Sequence, residues 1–170
     1  YVDLLRSLPQ VRRDVRARAA ARDPEVVRVA KQYGAEYFDG DRKYGYGGYR
    51  YDGRWQQVAR DIINYYDMSP SSRVLDVGCG KGFLVHDLVP WTDAYGLDIS
   101  HYAVVEKPYL PAIGRLHWGD VSGRLPFPDK SFDLVLSINT LHNLSRPRLV
   151  WALREMRRVS RGRMFVQVDS

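Results

Sequence analysis

The sequence VLDVGCGKGFLVHDLVPWTDAYGLD, residues 74–98, decides the fold class of this chain. It starts with an apolar run over Val74–Val77, passes through alternate glycines and closes with a second apolar run over Ala94–Leu97. Short apolar runs beside glycine are typical of buried strands, and the residues between them, from about Phe83 to Leu88, favour a helix. This order, in which a glycine turn and a helix connect two strands, predicts a β-α-β unit with a right-handed crossover.

The same alternation continues towards the end of the chain. Further strands are predicted over Arg115–Trp118, Phe132–Ile138 and Met164–Val168, and helices over about Tyr102–Glu106 and Pro147–Val159. Strands that alternate with helices pair in parallel, so we expect an α/β fold with a doubly wound, mainly parallel sheet and helices on both faces. Ligands of such sheets bind beyond the carboxyl ends of the strands, where the strand order reverses.

Residues 1–70 are expected to form an N-terminal part of helices and a Tyr/Gly-rich lid loop, ahead of a core over residues 71–170. Helices are predicted from Asp3 to Ala20 with a break at Pro9, from Pro24 to about Tyr33 after a cap at Asp23, and from about Arg54 to Tyr66. Between the last two lies YFDGDRKYGYGGYRYDGRW, residues 37–55, which we call the aromatic segment. Its glycines and aspartates predict a loop, and its tyrosines indicate that this loop covers something.

Composition excludes several classes of protein. The single cysteine, Cys79, rules out an internal disulfide and a multi-cysteine zinc site, and no grouping of His, Asp and Glu at ligand spacing indicates a metal. No apolar run approaches the roughly 18 to 20 residues that cross a bilayer, so we expect a soluble, cytoplasmic protein without a membrane partner. The oligomeric state is not predicted.

Charge leaves one class of partner open. The formal net charge is +6, and arginines gather over Arg6–Arg22 and Arg146–Arg163. A nucleic-acid partner is therefore an alternative, but it is not favoured because neither cluster matches an RNA-binding motif.

The residues Gly78–Gly82, which we call the glycine loop, directly follow the first predicted strand. The missing glycine side chains let a ligand approach the backbone at the start of the next helix. The dinucleotide fingerprint GxGxxG would need a third glycine at position 83, where this chain has Phe83, so the spacing disfavours NAD. Asp98 ends the second strand 22 residues after Asp76, close to the interval of roughly 20 residues at which an acidic side chain binds ribose hydroxyls. With Asp120 after the third strand, these features predict a nucleotide-type pocket.

From Arg73 to Ser170 the sequence resembles the class I (Rossmann-like) S-adenosylmethionine-dependent methyltransferase family. VLDVGCGKG is similar to the first motif of that family, GLDIS to its acidic second-strand end, GD to its third strand end and LPFPDKSFDLVLS to its fourth-strand region. The turn before the last strand departs from the usual Pro-Gly-Gly, because it reads Arg161-Gly162-Arg163. The last two strands of the family are absent, so we expect the natural protein to be longer.

The resemblance implies S-adenosylmethionine as the cofactor and assigns roles to individual residues. The glycine loop would contact the methionine part, Asp98 the ribose, and Asp120 with Val121 the adenine. Asp76 would orient the glycine loop or bind the amino group of the cofactor through water. The cofactor-binding residues implied within the core are Asp76, Gly78, Cys79, Gly80, Gly82, Asp98, Ile99, Asp120, Val121 and Asn139.

The aromatic segment resembles the loop that closes over cofactor or acceptor in some bacterial small-molecule methyltransferases. Tyr46 and Tyr51 are predicted as cofactor-contacting lid residues, since aromatic faces attract a sulfonium cation; the alternative is that these tyrosines only pack the loop onto the core. After the fourth strand, His142 is the candidate catalytic base, with packing or pocket lining as the alternative.

These observations predict an S-adenosylmethionine-dependent methyltransferase that acts on a small-molecule acceptor, such as a sugar or a natural-product intermediate. An RNA-directed methyltransferase and a non-catalytic S-adenosylmethionine-binding module are the alternatives, and a nicotinamide oxidoreductase is a more distant one. Asn139 is not followed by the Pro-Pro-aromatic run of adenine-N6 DNA methyltransferases, which does not support that chemistry.

Overall fold

The fold is built around one five-stranded sheet. The computed structural model of the chain describes residues 3–8 and 23–168. Its strands are β1 (Arg73–Val77), β2 (Asp93–Asp98), β3 (Leu116–Trp118), β4 (Phe132–Ile138) and β5 (Ser160–Gln167). They lie in the order β3-β2-β1-β4-β5, and every neighbouring pair is parallel. The order reverses between β1 and β4, which confirms the doubly wound sheet and marks the edge at which ligands bind.

Helices connect these strands. They are α1 (Pro24–Ala30), α2 (Ala35–Phe38), α3 (Trp55–Tyr66), α4 (Phe83–Leu88) and α5 (Arg146–Val159), with a π-helix over Tyr102–Glu106 and 3₁₀ turns over Leu110–Ala112 and Leu141–Asn143. As predicted, Asp23 caps α1, since its carboxylate accepts a hydrogen bond from the Glu25 amide at 2.9 Å. Helix α2 was not predicted, because it lies partly in the glycine- and aspartate-rich aromatic segment.

Strand β5 begins four residues earlier than predicted, immediately after α5. The Ser160 hydroxyl accepts the Gly162 amide and donates to the Arg163 carbonyl, both at 2.9 Å. Gly162 has φ +141°, and the register against β4 shifts between Phe132 and Leu134. The residues Arg161-Gly162 thus form an irregularity inside the strand rather than a turn before it.

Apolar side chains alternate between the two faces of the sheet. Val74 and Leu134 pack with α3 and α4 on one face. Leu75, Val77 and Val135 pack with α5 on the other. Each such fully buried side chain contributes about 1.5–3 kcal/mol relative to an exposed one. Helices cover both faces, as the sequence predicts.

The N-terminal region is described only in part. Leu4 and Leu5 belong to the core on the face covered by α3. The predicted break at Pro9, the helix continuing to Ala20 and most of the Arg6–Arg22 cluster lie outside the described residues. The division of the chain at residue 70 remains a proposal. Within residues 3–8 and 23–168, no helix has the length and apolar character that a bilayer crossing requires.

Candidate functional site

A cavity of about 500 Å³ opens at the carboxyl edge of the sheet, where the strand order reverses. Its volume lies within the range of roughly 300–1,000 Å³ that is usual for small-molecule sites. The glycine loop and the end of β2 form one part of its lining, and the aromatic segment and the residues after β4 form another. Among the predicted cofactor-binding residues, those that line the cavity are Gly78, Gly80, Asp98, Ile99, Asp120, Val121, Asn139 and Tyr46.

The glycine loop lies against the end of β2. The Gly78 amide donates to the Leu97 carbonyl at 2.7 Å, and the Gly80 amide donates to Asp98 Oδ2 at 2.8 Å. Gly78 has φ +85°, and a Cβ atom there would lie 2.0 Å from Thr140 Oγ1. Only glycine therefore fits between β1 and the residues after β4. These bonds bring together the two strand ends that the sequence predicts as one pocket.

Two buried carboxyl groups accompany the loop, and they differ in their hydrogen bonds. Asp98 accepts the Gly80 amide on one oxygen and the Ser100 amide on the other, both at 2.8 Å. The Asp76 side chain is only 5% exposed, does not line the cavity, and has no hydrogen-bond partner among the described residues. Burial, followed by the nearby negative charge of Asp98, raises the pKa of Asp76 to about 8. Burial also raises the pKa of Asp98, against the effect of its two backbone hydrogen bonds. A buried acid without a partner favours a cationic or hydrogen-donating ligand nearby.

Cys79 and Gly82, both predicted as cofactor-binding, do not line the cavity. The Cys79 side chain packs on Gly96 of β2, where an added Cβ would lie 2.6 Å from Sγ. Gly82 has φ +86° and lies against Leu116 and Ala112 at the start of α4. The residues of the glycine loop point in different directions, so only Gly78 and Gly80 are left facing the ligand side. Cys79 and Gly82 pack the β-α-β unit together.

The aromatic segment supplies Tyr46 to the cavity, but not Tyr51. The Tyr51 hydroxyl donates to Asp87 Oδ1 at 2.6 Å, and its ring stacks on Tyr109 at 4.7 Å between centroids. Tyr51 therefore packs on α4, because the buried Asp87 carboxylate needs a donor. Tyr49 lines the cavity instead, with its ring centroid 4.2 Å from that of Tyr46. Other aromatic side chains of the lining are Tyr33, Tyr37 and Phe38.

An ion pair that the sequence analysis missed joins the aromatic segment to the glycine loop. Lys81 Nζ lies 2.6 Å from Asp39 Oδ2, and Lys81 is 8% exposed. Asp39 also accepts the Tyr102 hydroxyl at 2.7 Å and the Tyr49 amide at 3.2 Å. Although burial opposes it, the hydrogen bonds from Lys81 and Tyr102 lower the pKa of Asp39. The sequence offers two signals for this pair: Lys81 lies between two glycines, and Asp39 lies beside aromatic residues. Neither signal identifies the partner residue.

The residues after β4 complete the lining, without His142. Asn139 has φ +53°, and its amide donates to the Gln167 carbonyl at 2.9 Å. Asn143 lines the cavity, and its side-chain amide donates to the Thr140 carbonyl at 3.1 Å. His142 is exposed and lies outside the lining, because the 3₁₀ turn buries Leu141 instead. The role predicted for His142 as a base is therefore not supported by its position.

The residues present fit the cofactor that the sequence predicts. The unpartnered carboxyl group of Asp76 offers a counter-charge for an ammonium group, and Gly78 and Gly80 line the cavity with backbone alone. Asp98 and Asp120 place carboxylate oxygens in the same cavity for hydroxyl groups. In the part of the chain that the structure describes, His, Cys, Asp and Glu form no cluster suited to holding a metal ion.

Comparisons with known proteins agree with this arrangement. A family model described as a methyltransferase domain matches residues 75–166, more than half of the chain. A provisionally named methyltransferase of Encephalitozoon cuniculi is 40% identical over 119 residues, which cover 67% of this chain and 52% of the relative. The sterol 24-C-methyltransferase of Gibberella zeae is 39% identical over 101 residues, 54% of this chain and 26% of the relative. A demethylmenaquinone methyltransferase of Tropheryma whipplei is 31% identical over 96 residues, 55% of this chain and 39% of the relative.

Solved structures show the same fold. A Pyrococcus horikoshii protein superposes with a TM-score of 0.59 at 24% identity, covering 85% of this chain and 66% of the other. A Methanococcus maripaludis protein, provisionally assigned as an S-adenosylmethionine-dependent methyltransferase, gives a TM-score of 0.56 at 23% identity, covering 66% of this chain and 54% of the other. The chain spans about half or less of the length of the curated relatives described above. The family match, the shared fold and the fitted cavity together show that the chain belongs to the class I, Rossmann-like family of S-adenosylmethionine-dependent methyltransferase domains.

Proposed function

We propose that the protein transfers the methyl group of S-adenosylmethionine to a small-molecule acceptor. The observation that carries this proposal is the single cavity shared by the glycine loop, Asp98, the aromatic segment and the residues after β4. A donor held at the glycine loop and an acceptor held near Asn139 would lie in the same enclosed space.

The polypeptide would hold the cofactor through a small set of groups. Asp98 would accept hydrogen bonds from the ribose hydroxyls, and Asp120 and Val121 would border the adenine. Asp76 would face the ammonium group, directly or through water, and would be ionised when that group is bound. Gly78 and Gly80 would let the methionine part approach the backbone. When bound, S-adenosylmethionine supplies a methyl group that its positive sulfur already activates for transfer.

The work left to the protein is mainly alignment. Holding two reactants in line supplies roughly 7–11 kcal/mol of a barrier, whereas a general base typically adds a factor of about 10² to 10⁴. Tyr46 and Tyr49 would exclude water from the cavity and present aromatic faces to a sulfonium cation. Since no histidine among the described residues lines the cavity, we do not assign a catalytic base.

Two observations favour a small acceptor. The aromatic segment lies over part of the cavity and is fixed there by the Lys81–Asp39 ion pair, which leaves limited space for a large partner. The names of two relatives specify a sterol and demethylmenaquinone as their substrates, and both are small molecules. A sugar or a natural-product intermediate remains the finer hypothesis.

Three arginines of the Arg146–Arg163 cluster do not favour RNA as the acceptor, because they are engaged within the protein. Arg158 pairs with Glu155 and Asp129, both at 2.7 Å. Arg161 pairs with Asp133 at 2.7 Å, and the Arg163 guanidinium donates to a backbone carbonyl. These side chains are engaged within the protein, and none of them lines the cavity.

Calorimetry tests the cofactor part of the proposal. We expect S-adenosylmethionine and its demethylated product to bind the wild-type chain, and NAD not to bind. The variant Asp98→Ala should bind the product at least tenfold more weakly, because a charge-assisted hydrogen bond is lost. The control is Asp129→Ala, at a 70% exposed carboxylate outside the cavity. Its affinity for the product should stay within about twofold of the wild-type affinity. Failure of wild type to bind either methionine-derived nucleotide would contradict the proposal.

Transfer is tested separately. The protein is incubated with S-adenosylmethionine labelled in its methyl group, together with a metabolite extract below about 1 kDa or with total RNA. Label in the extract alone supports a small acceptor, and label in the RNA contradicts it. Cofactor binding without label in either fraction would favour a non-catalytic binding module.

A further inference from the structure

Two cations of the cavity lining have no partner among the described residues. Lys31, at the end of α1, and Arg148, in the first turn of α5, both line the cavity. Neither side chain forms a hydrogen bond or an ion pair with any described residue. Both residues are exposed, and they come from elements before β1 and after β4, so the fold brings two positive charges to the lining of one cavity.

The carboxylates of the same lining are already engaged. Asp98 accepts two backbone amides, and Asp120 Oδ1 accepts both the amide and the hydroxyl of Ser122, at 2.8 and 2.7 Å. Lys31 and Arg148 are therefore the charged side chains of the lining that have no partner among the described residues.

Arg148 also differs from the other arginines near it. The guanidinium groups of Arg157 and Arg158 bond to the Gly162 carbonyl and to Glu155, respectively. Arg146 and Arg154 have no partner in the described chain either, but they do not line the cavity. Arg148 thus combines an unengaged guanidinium with access to the cavity.

We propose that Lys31 and Arg148 bind an anionic group, a carboxylate or a phosphate, on the methyl acceptor. This inference rests on the proposed function and specifies its substrate class. A guanidinium holds either anion through paired hydrogen bonds, and an ammonium adds a second positive charge. The aromatic side chains Tyr37, Phe38 and Tyr46 line the same cavity and suit an apolar or aromatic body. The acceptor class is therefore a small acid with an apolar body.

Three small probes test this proposal: benzoate, phenyl phosphate and benzamide. Benzamide is the neutral analogue of benzoate with nearly the same shape. Each is titrated by nuclear magnetic resonance into wild-type protein saturated with S-adenosylhomocysteine. We expect at least one anion to bind fivefold or more tightly than benzamide, with the preference decreasing as salt rises. The stronger of the two anions identifies the group as a carboxylate or a phosphate.

Matched variants assign the effect to the two cations. Arg148→Gln and Lys31→Gln should each reduce the preference for the anion about threefold to tenfold. Arg154→Gln, on the same helix, and Lys107→Gln, at another exposed lysine outside the cavity, should leave it unchanged. No preference for either anion at millimolar concentration, or an equal loss in the control variants, would overturn the proposal.

One further measurement separates the acceptor from the cofactor. The two cations could instead bind the carboxylate of the cofactor. In that case Arg148→Gln would weaken the binding of S-adenosylhomocysteine but not the binding of 5′-methylthioadenosine, which lacks that carboxylate. That result also overturns the proposal. Failure of S-adenosylhomocysteine to bind wild type would instead refute the proposed function, so the two failures are distinguishable.

Discussion

The buried carboxyl group of Asp76 is suited to a cationic ligand, but it lowers the stability of the ligand-free fold as pH rises. Its carboxyl group is buried without a partner, and burial with the charge of Asp98 raises its pKa to about 8. In the unfolded chain an aspartate has a pKa of about 3.9. The folded protein therefore binds more protons than the unfolded chain between these two values, so its stability falls as pH rises from about 4 to about 8.

Asp76→Asn is expected to remove much of this dependence. In the absence of cofactor, the wild-type free energy of unfolding should fall by roughly 2–5 kcal/mol between pH 5 and pH 8, and that of the variant should fall clearly less. Urea unfolding at the two pH values measures both. Asp129→Asn, at an exposed carboxylate, is the control and should behave as wild type. Identical pH slopes for wild type and Asp76→Asn would contradict the assignment.

Gly78 offers a second test at this scale, with a matched control in the same chain. Gly78 and Gly114 both have φ +85°, but a Cβ at Gly114 would meet nothing within 4 Å, whereas one at Gly78 would meet Thr140. Gly114→Ala should cost about 1 kcal/mol for backbone strain alone, and Gly78→Ala about 2–4 kcal/mol because a clash is added. Thermal unfolding measures the difference. Equal losses in the two variants would show that the close approach to Thr140 is unimportant.

The sequence predicted which strand ends meet in one cavity, because that meeting follows from neighbours along the chain. Gly78, Gly80 and Asp98 lie at strand ends that hydrophobic runs predict, so their meeting follows from parallel pairing. Tyr51 and His142 were misplaced because contacts distant in sequence decide their positions. The carboxylate of Asp87 binds Tyr51, and the burial of Leu141 leaves His142 exposed.

At the scale of elements, the Lys81–Asp39 pair is the main link between the aromatic segment and the sheet. Asp39 binds Lys81 of the glycine loop, Tyr102 of the π-helix and the Tyr49 amide. One carboxylate thus holds the segment at three points, in addition to ring packing and the Tyr51–Asp87 hydrogen bond.

Asp39→Asn should loosen the aromatic segment while the sheet remains intact. The amide side chain keeps an oxygen acceptor but loses the charge that holds Lys81, and a partly buried pair contributes about 1–3 kcal/mol. Hydrogen exchange over residues 37–51 should become roughly tenfold faster, with β1 and β4 unchanged. Asp52→Asn, which breaks an exposed pair with Arg54 in the same segment, is the control. Equal exchange in both variants would show that Asp39 does not fix the segment.

Several strands and helices were predicted well because the periodicity of their apolar residues agrees with their burial in the fold. Strand β4 and helix α4 have the predicted bounds, Phe132–Ile138 and Phe83–Leu88. Helix α2 was missed, since a short element is determined by what it packs against. The helix predicted over Tyr102–Glu106 has the predicted bounds, but its π-helical winding was not predicted. The early start of β5 depends on hydrogen bonds of the Ser160 side chain, which no periodic pattern indicates.

For the whole molecule, the cavity depends on both parts of the chain. Its lining includes Lys31, Tyr33 and Tyr49 from the region before β1 and residues from Gly78 to Arg148 after it. The alternation of strands and helices along the chain predicted the fold class. It did not predict that these two parts of the chain share one cavity, because no local signal relates α1 to α5. The part of the cavity lined by Lys31 and Arg148, where we propose that the acceptor binds, is therefore the part least accessible to sequence reasoning.

Cys79 shows how closed this architecture is at its centre. It is the single thiol of the chain, packed on Gly96, and burial with the charges of Asp98 and Asp76 raises its pKa well above the usual value. Alkylating reagents require an accessible thiolate. In the native fold, burial limits access to the sulfur atom, and the raised pKa keeps it protonated. Alkylation of Cys79 therefore requires its packing against Gly96 to open transiently, and the alkylation rate measures how often the glycine loop opens.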